Sequence, residues 1–188
     1  MNKDKRIFRS PKVFVFVVFG FLSGCGGPYA DLEGSFKVDK TASAPTIPVK
    51  EVAMVSTHEV GAHSYHGVLT VKLTPRTIEL EPQFPFNLLQ KPLSIEAEKI
   101  AGCSKTCFGD GPWDADVLVA STGTEISFEG SKEVIEWCWS NQIPMISGND
   151  RNQWLYSGTP LQGRSAYSEQ LSSRELYDAQ TKQSCLGY

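Results

Sequence analysis

The sequence has no apolar run long enough to cross a bilayer. The longest, Val13-Phe14-Val15-Phe16-Val17-Val18-Phe19-Gly20-Phe21-Leu22, is roughly half of the ~20 residues that a spanning helix needs. It has no Gly-x-Ser-x-Gly, Ser-x-x-Lys or His-Glu-x-x-His motif and no glycine-rich phosphate or dinucleotide loop. Nothing therefore marks a nucleophile, a zincin helix or a phosphate cradle, and no enzymatic activity is expected. Basic residues are scarce beyond the start: residues 1–24 hold Lys3, Lys5, Arg6, Arg9 and Lys12 against Asp4, which leaves 13 bases facing 20 acids in the remainder. So acidic a body repels phosphate backbones, and a nucleic-acid partner is not expected. The 188 residues leave room for about one domain after a targeting segment.

What the N-terminus does contain is a basic stretch, the ten-residue apolar run, and then Leu22-Ser23-Gly24-Cys25. That tripartite order is a secretory signal. Its last four residues resemble the lipobox of bacterial lipoproteins, in which small side chains admit a peptidase and the cysteine thiol accepts diacylglycerol. The resemblance implies a signal peptide over 1–24, cleavage before Cys25, acylation of Cys25 (palmitate among the chains), and a membrane partner reached through that anchor. Gly26, in place of Asp, implies an address in the cell envelope at the outer membrane, facing the periplasm.

Residues 25–50 are rich in Gly, Pro, Ser and Thr, including Gly26-Gly27-Pro28 and Ala42-Ser43-Ala44-Pro45. Composition predicts a flexible tether, extended up to roughly 75 Å at about 3.1 Å per residue, with docking of Leu32, Phe36 and Val38 as an extra strand the alternative. From Tyr65 the chain alternates. Leu69, Val71 and Leu73 share one face, Thr74-Pro75-Arg76 turns, and Ile78 and Leu80 return, which is a hairpin. Further strands are expected over 92–100, 116–120 and 124–129. After Gly130 the period changes: Ser131 is placed as an N-cap, and Val134, Ile135, Cys138 and Trp139 fall on one helical face, with Pro144 beyond.

Strands followed by one Trp-bearing helix resemble the pleckstrin-homology and GRAM-like superfamily. The stretches that carry the likeness are Tyr65-His66-Gly67-Val68-Leu69-Thr70-Val71, Phe84-Pro85-Phe86, Pro92-Leu93-Ser94-Ile95 and the helix over 131–142. The resemblance implies a mainly β fold, a small curved antiparallel sheet or partly open barrel with one capping α-helix, over a domain of 51–147. It also implies a protein or peptide partner that adds a strand to an open sheet edge. Lys72 and Arg76 are too few in the first hairpin turn to carry over lipid-headgroup recognition. The expected core is Leu69, Val71, Leu73, Ile78, Leu80, Val117, Val119, Ile126, Phe128, Val134, Ile135, Cys138 and Trp139. Residues 148–188 read as a polar tail with a short helix near 168–180.

With Cys25 taken by lipid, Cys103, Cys107, Cys138 and Cys185 are an even number in an oxidising compartment, and two disulfides are expected. Cys103 with Cys107 across a tight loop, and Cys138 with Cys185, is the preferred pairing, with the two crossed ones open. His58, His63 and His66 cluster within nine residues, so a metal-binding envelope protein is the alternative function, although a solvated loop is the expected setting and no cofactor is expected. Asp110, Asp114 and Asp116 lack EF-hand spacing and read as an acidic turn. Trp113, Trp137, Trp139 and Trp154 read as core and rim packing, with a peptide or lipid groove the alternative.

Overall fold

In Glu51-Val52-Ala53-Met54-Val55-Ser56 every second side chain is buried, the mark of a strand with one face in a core. The structure, a computed structural model that describes residues 27–56, 62–107 and 113–157, has nine strands and three α-helices among those residues. The strands are β1 (Thr46–Ile47), β2 (Glu51–Ser56), β3 (Ala62–His66), β4 (Leu69–Leu73), β5 (Thr77–Pro82), β6 (Leu93–Glu96), β7 (Ile100–Cys107), β8 (Trp113–Val119) and β9 (Thr124–Glu129). The helices are α1 (Pro28–Phe36), α2 (Lys132–Ser140) and α3 (Gly148–Ser157). Among the described residues, no helix is long and apolar enough to cross a membrane.

The strands form two antiparallel sheets, ordered β1-β4-β5-β6 and β3-β2-β9-β8-β7, and neither closes on itself. The protein is thus mainly β with few helices, as the sequence predicts. The β4–β5 hairpin pairs Leu73 with Ile78 and Val71 with Leu80. Its turn is held by Thr74, whose Oγ1 accepts the Thr77 amide at 2.8 Å. The expected single strand over 92–100 is instead two. A 3-10 turn at Ala97–Lys99 forms a corner, so β6 stays in the first sheet while β7 crosses to the second. Val71, Ile78, Leu80, Leu93 and Ile95 of one sheet pack in a common core with Val52, Met54, Val117, Ile126 and Phe128 of the other.

The expected tether over 25–50 is corrected. Tyr29, Leu32 and Phe36 recur at helical spacing and are buried in the main core, so this segment opens as α1. Pro28 at the first turn suits a helix start, where its missing N–H costs nothing. Lys37 then bridges to Leu93, the Val38 amide donates to the Pro92 carbonyl at 2.9 Å, and β1 pairs with β4. The Gly, Pro and Ser content was misleading because three well-spaced apolar side chains are enough to dock a short helix. The folded unit therefore begins at Pro28, well before residue 51.

Helix α2 lies where the period change predicts it, with Ser131 at the N-cap position and Val134, Ile135 and Cys138 buried. Trp137, outside the apolar face read from the sequence, is more buried than Trp139, and its Nε1 donates to the Thr74 carbonyl at 2.7 Å, joining the helix to the β4–β5 turn. The unit also runs past residue 147. Helix α3 buries Trp154 and Leu155 in a second cluster with Leu118 and Ile146. The expected helix near 168–180 lies outside the described residues.

Candidate functional site

The register of the five-stranded sheet places Thr106, Asp114 and Glu129 in one row of its outer face and Ser104, Asp116 and Ser127 in the next. Gly102, Leu118, Glu125 and Val55 make the third row. Asp116 is fully buried and accepts hydrogen bonds from the hydroxyls of Ser104 (2.9 Å), Thr106 (2.7 Å) and Ser127 (2.6 Å). Arg151 reaches down from α3, its Nε 3.3 Å from Asp116 Oδ2, and donates through Nη2 to Glu125 Oε1. Glu125 is also fully buried, and its Oε2 has no hydrogen-bond partner. Two carboxylates thus share one guanidinium. Burial first, and then the Asp116 charge, pushes the Glu125 carboxyl up to about 7. Asp114 beside them is pushed up to about 6 by burial and by the charges of Asp116 and Glu129.

Asp116 and Glu125 have no exposed surface. Through Arg151 they fasten α3 to the sheet. The expected acidic turn is corrected at two of its three positions. Asp114 and Asp116 stand in β8, two residues apart and on one face of the sheet, while Asp110 lies outside the described residues. Arg151 and Glu125 were missed, although Arg151 precedes Trp154 and Leu155 by three and four residues, the spacing that puts a charge on the buried face of a helix.

The histidine cluster is not brought together. His63 and His66 stand three apart on β3, paired with Met54 and Glu51 respectively, and a strand sends such residues to opposite faces. The His63 ring lies against Gly27, with atoms 2.9–3.2 Å from where a Cβ would stand, and His66 Nδ1 is 3.4 Å from Glu51 Oε2. Glu51, also bonded by Ser64 Oγ, is held below the ordinary carboxylate range chiefly by that hydroxyl. His58 lies outside the described residues. Among the described residues, no group of three His, Cys, Asp or Glu side chains could hold a metal ion.

The preferred cysteine pairing is also corrected. Cys103 bonds to Cys138, joining β7 to α2 with the Cα atoms 6.5 Å apart. Cys103 and Cys107 cannot bridge each other, because both stand in β7 and four residues of strand separate their Cα atoms by about 13 Å. Cys107 is disulfide-bonded as well, and Cys185 lies outside the described residues. Non-reducing peptide mapping is expected to recover a Cys103–Cys138 linked peptide and a Cys107–Cys185 linked peptide. Alkylation of any of the four without reductant would contradict this. The four tryptophans do not line one groove: Trp137 and Trp139 belong to the main core, Trp154 to the second cluster, and Trp113 carries Lys105 Nζ 4.5 Å above its ring.

Among the described residues, two surfaces stand out for their exposure. The first is β3, the edge of the five-stranded sheet, where Ala62, His63, Ser64 and His66 are exposed. The other sheet edges are blunted. A parallel bridge from Met145 occupies β7 at Cys103, the Lys37 bridge covers part of β6, and β1 has two residues. The second surface is the loop between β5 and β6, which carries Phe84, Leu88 and Leu89 into solvent. Neither a protein-family model nor a curated protein sequence matches this chain.

Proposed function

We propose that this chain is a non-enzymatic lipoprotein of the bacterial cell envelope, anchored through acylated Cys25 at the outer membrane, whose pleckstrin-homology-like domain docks a protein or peptide by strand addition. The signal-and-lipobox order of residues 1–25 supports the anchor, and every described element lies after Cys25, so cleavage before it removes nothing from the fold described above. The observation that carries the docking reading is β3, a five-residue edge strand whose side chains are nearly all exposed. Among the described residues no further strand pairs with β3 beyond β2, and a strand edge of this kind can take an added strand. It also belongs to a sheet whose opposite edge is bridged at Cys103 by Met145.

Natural edge strands repel additional strands with lysine. The double variant Ala62→Lys/Ser64→Lys is therefore expected to lose a partner that crosslinks to the wild-type chain in intact envelopes. Both positions are exposed and only the surface Ser64–Glu51 hydrogen bond is lost, so the melting temperature should change little. A partner recovered equally with the variant would rule out β3 as the docking edge.

A further inference from the structure

We infer that the β5–β6 loop is a membrane-contact element, and that Phe84, Leu88 and Leu89 enter the surface of the same bilayer that holds the Cys25 anchor. Phe84 is 78 % exposed, Leu88 72 % and Leu89 55 %, the three large apolar side chains most open to solvent among the described residues. They lie in Pro82-Gln83-Phe84-Pro85-Phe86-Asn87-Leu88-Leu89-Gln90, nine residues without a formal charge, followed by exposed Lys91. An apolar tip with a cation at its base has the charge order of an interfacial segment on anionic lipid.

The loop's own hydrogen bonds lower the cost of leaving water. A 3-10 turn at Phe86–Leu88 organises it. The amides of Asn87, Leu88, Leu89 and Gln90 donate to the carbonyls of Gln83, Pro85, Phe86 and Phe86, at 2.9–3.2 Å. The proline nitrogen at 85 has no hydrogen to satisfy. Most of the loop's amide donors thus already have partners inside the loop, as an apolar environment demands. At the base, the Gln83 amide donates to the Val68 carbonyl at 2.8 Å and its side chain to Thr70 Oγ1 at 2.9 Å.

What identifies the occupant is the position of the anchor. Helix α1 is fastened to the loop's other base. Tyr29 donates its hydroxyl to the Lys91 carbonyl at 2.8 Å, and Glu33 Oε1 accepts the Lys91 amide at 2.9 Å. Cys25 precedes Tyr29 by four residues, so even a fully extended chain keeps it within about 14 Å of that residue. With no tether between anchor and body, the acyl chains hold this end of the molecule against the lipid, and Leu89 of the apolar tip stands two residues from Lys91. The inference rests on the lipoprotein reading above.

The test uses the full-length chain in cells, with a photoreactive benzoylphenylalanine at Phe84 or, as control, at Arg76. Arg76 is exposed in the turn at the opposite end of β5, and neither position contributes to the core. Phe84 is expected to give phospholipid adducts on the order of tenfold more than Arg76. Protein adducts in place of lipid, or equal labelling at the two sites, would overturn the inference. The mass of the N-terminal peptide, measured in the same preparation, separates the two layers. An acylated Cys25 without lipid adducts at Phe84 overturns only the loop. A Cys25 without acyl chains overturns the lipoprotein reading and the loop together.

Discussion

Replacing Arg151 with alanine is expected to cost about 3–5 kcal/mol of folding stability at pH 8, the range for a buried ion pair stripped of one partner. The guanidinium stands between two carboxylates with no exposed surface; Glu125 Oε2 has no hydrogen-bond partner, and without Arg151 its Oε1 keeps only the long contact from Ser127 Oγ at 3.4 Å. Chemical denaturation measures it. A loss below about 1 kcal/mol, the range of exposed pairs, would mean that α3 does not depend on this contact. Acid should shrink the effect. Glu125 and Asp114 both have folded values above their ordinary 4.5 and 3.8, so their protonated forms favour the folded state. The stability they contribute is complete below those ordinary values and is lost as pH rises through about 6 to 7. Wild-type protein should therefore be more stable at pH 5 than at pH 8, and Glu125→Gln should flatten that dependence. A stability that rises between pH 5 and 8 would contradict the assignment.

Replacing Cys25 with serine should move the protein from the membrane fraction to the soluble one. Each methylene of an acyl chain buried in the bilayer contributes about 0.8 kcal/mol, so several chains make the anchor nearly permanent, whereas adsorption through a few side chains is reversible. The variant should unfold like the wild-type domain, because Cys25 precedes every described element. Serine at 25 with undiminished co-sedimentation after a salt wash would show that something other than the thiol holds the chain.

The hairpin over β4 and β5, the strands β8 and β9 and helix α2 were legible in the sequence because each has a clean period of two or of 3.6. Helix α1 was not, since its apolar points Tyr29, Leu32 and Phe36 sit in a background of Gly and Pro that composition reads as flexible. The Cys103–Cys138 bridge depends on β7 and α2 lying side by side, a tertiary fact that spacing along the chain cannot supply. The same holds for Asp116, Glu125 and Arg151, which come from three elements and meet only when α3 lies on the sheet. The histidines show the converse. They are close in sequence, yet strand geometry sends His63 and His66 to opposite faces. Phe84 carried part of the resemblance as a body residue, but the loop that holds it turns it outward.

The proposed anchor at Cys25 is the premise on which the proposed lipid contact of the β5–β6 loop rests. Mass spectrometry of the mature N-terminus from cells grown with labelled palmitate tests it most directly. The account predicts a chain that begins at Cys25 and carries the label. An N-terminus elsewhere, or an unlabelled Cys25, would contradict it.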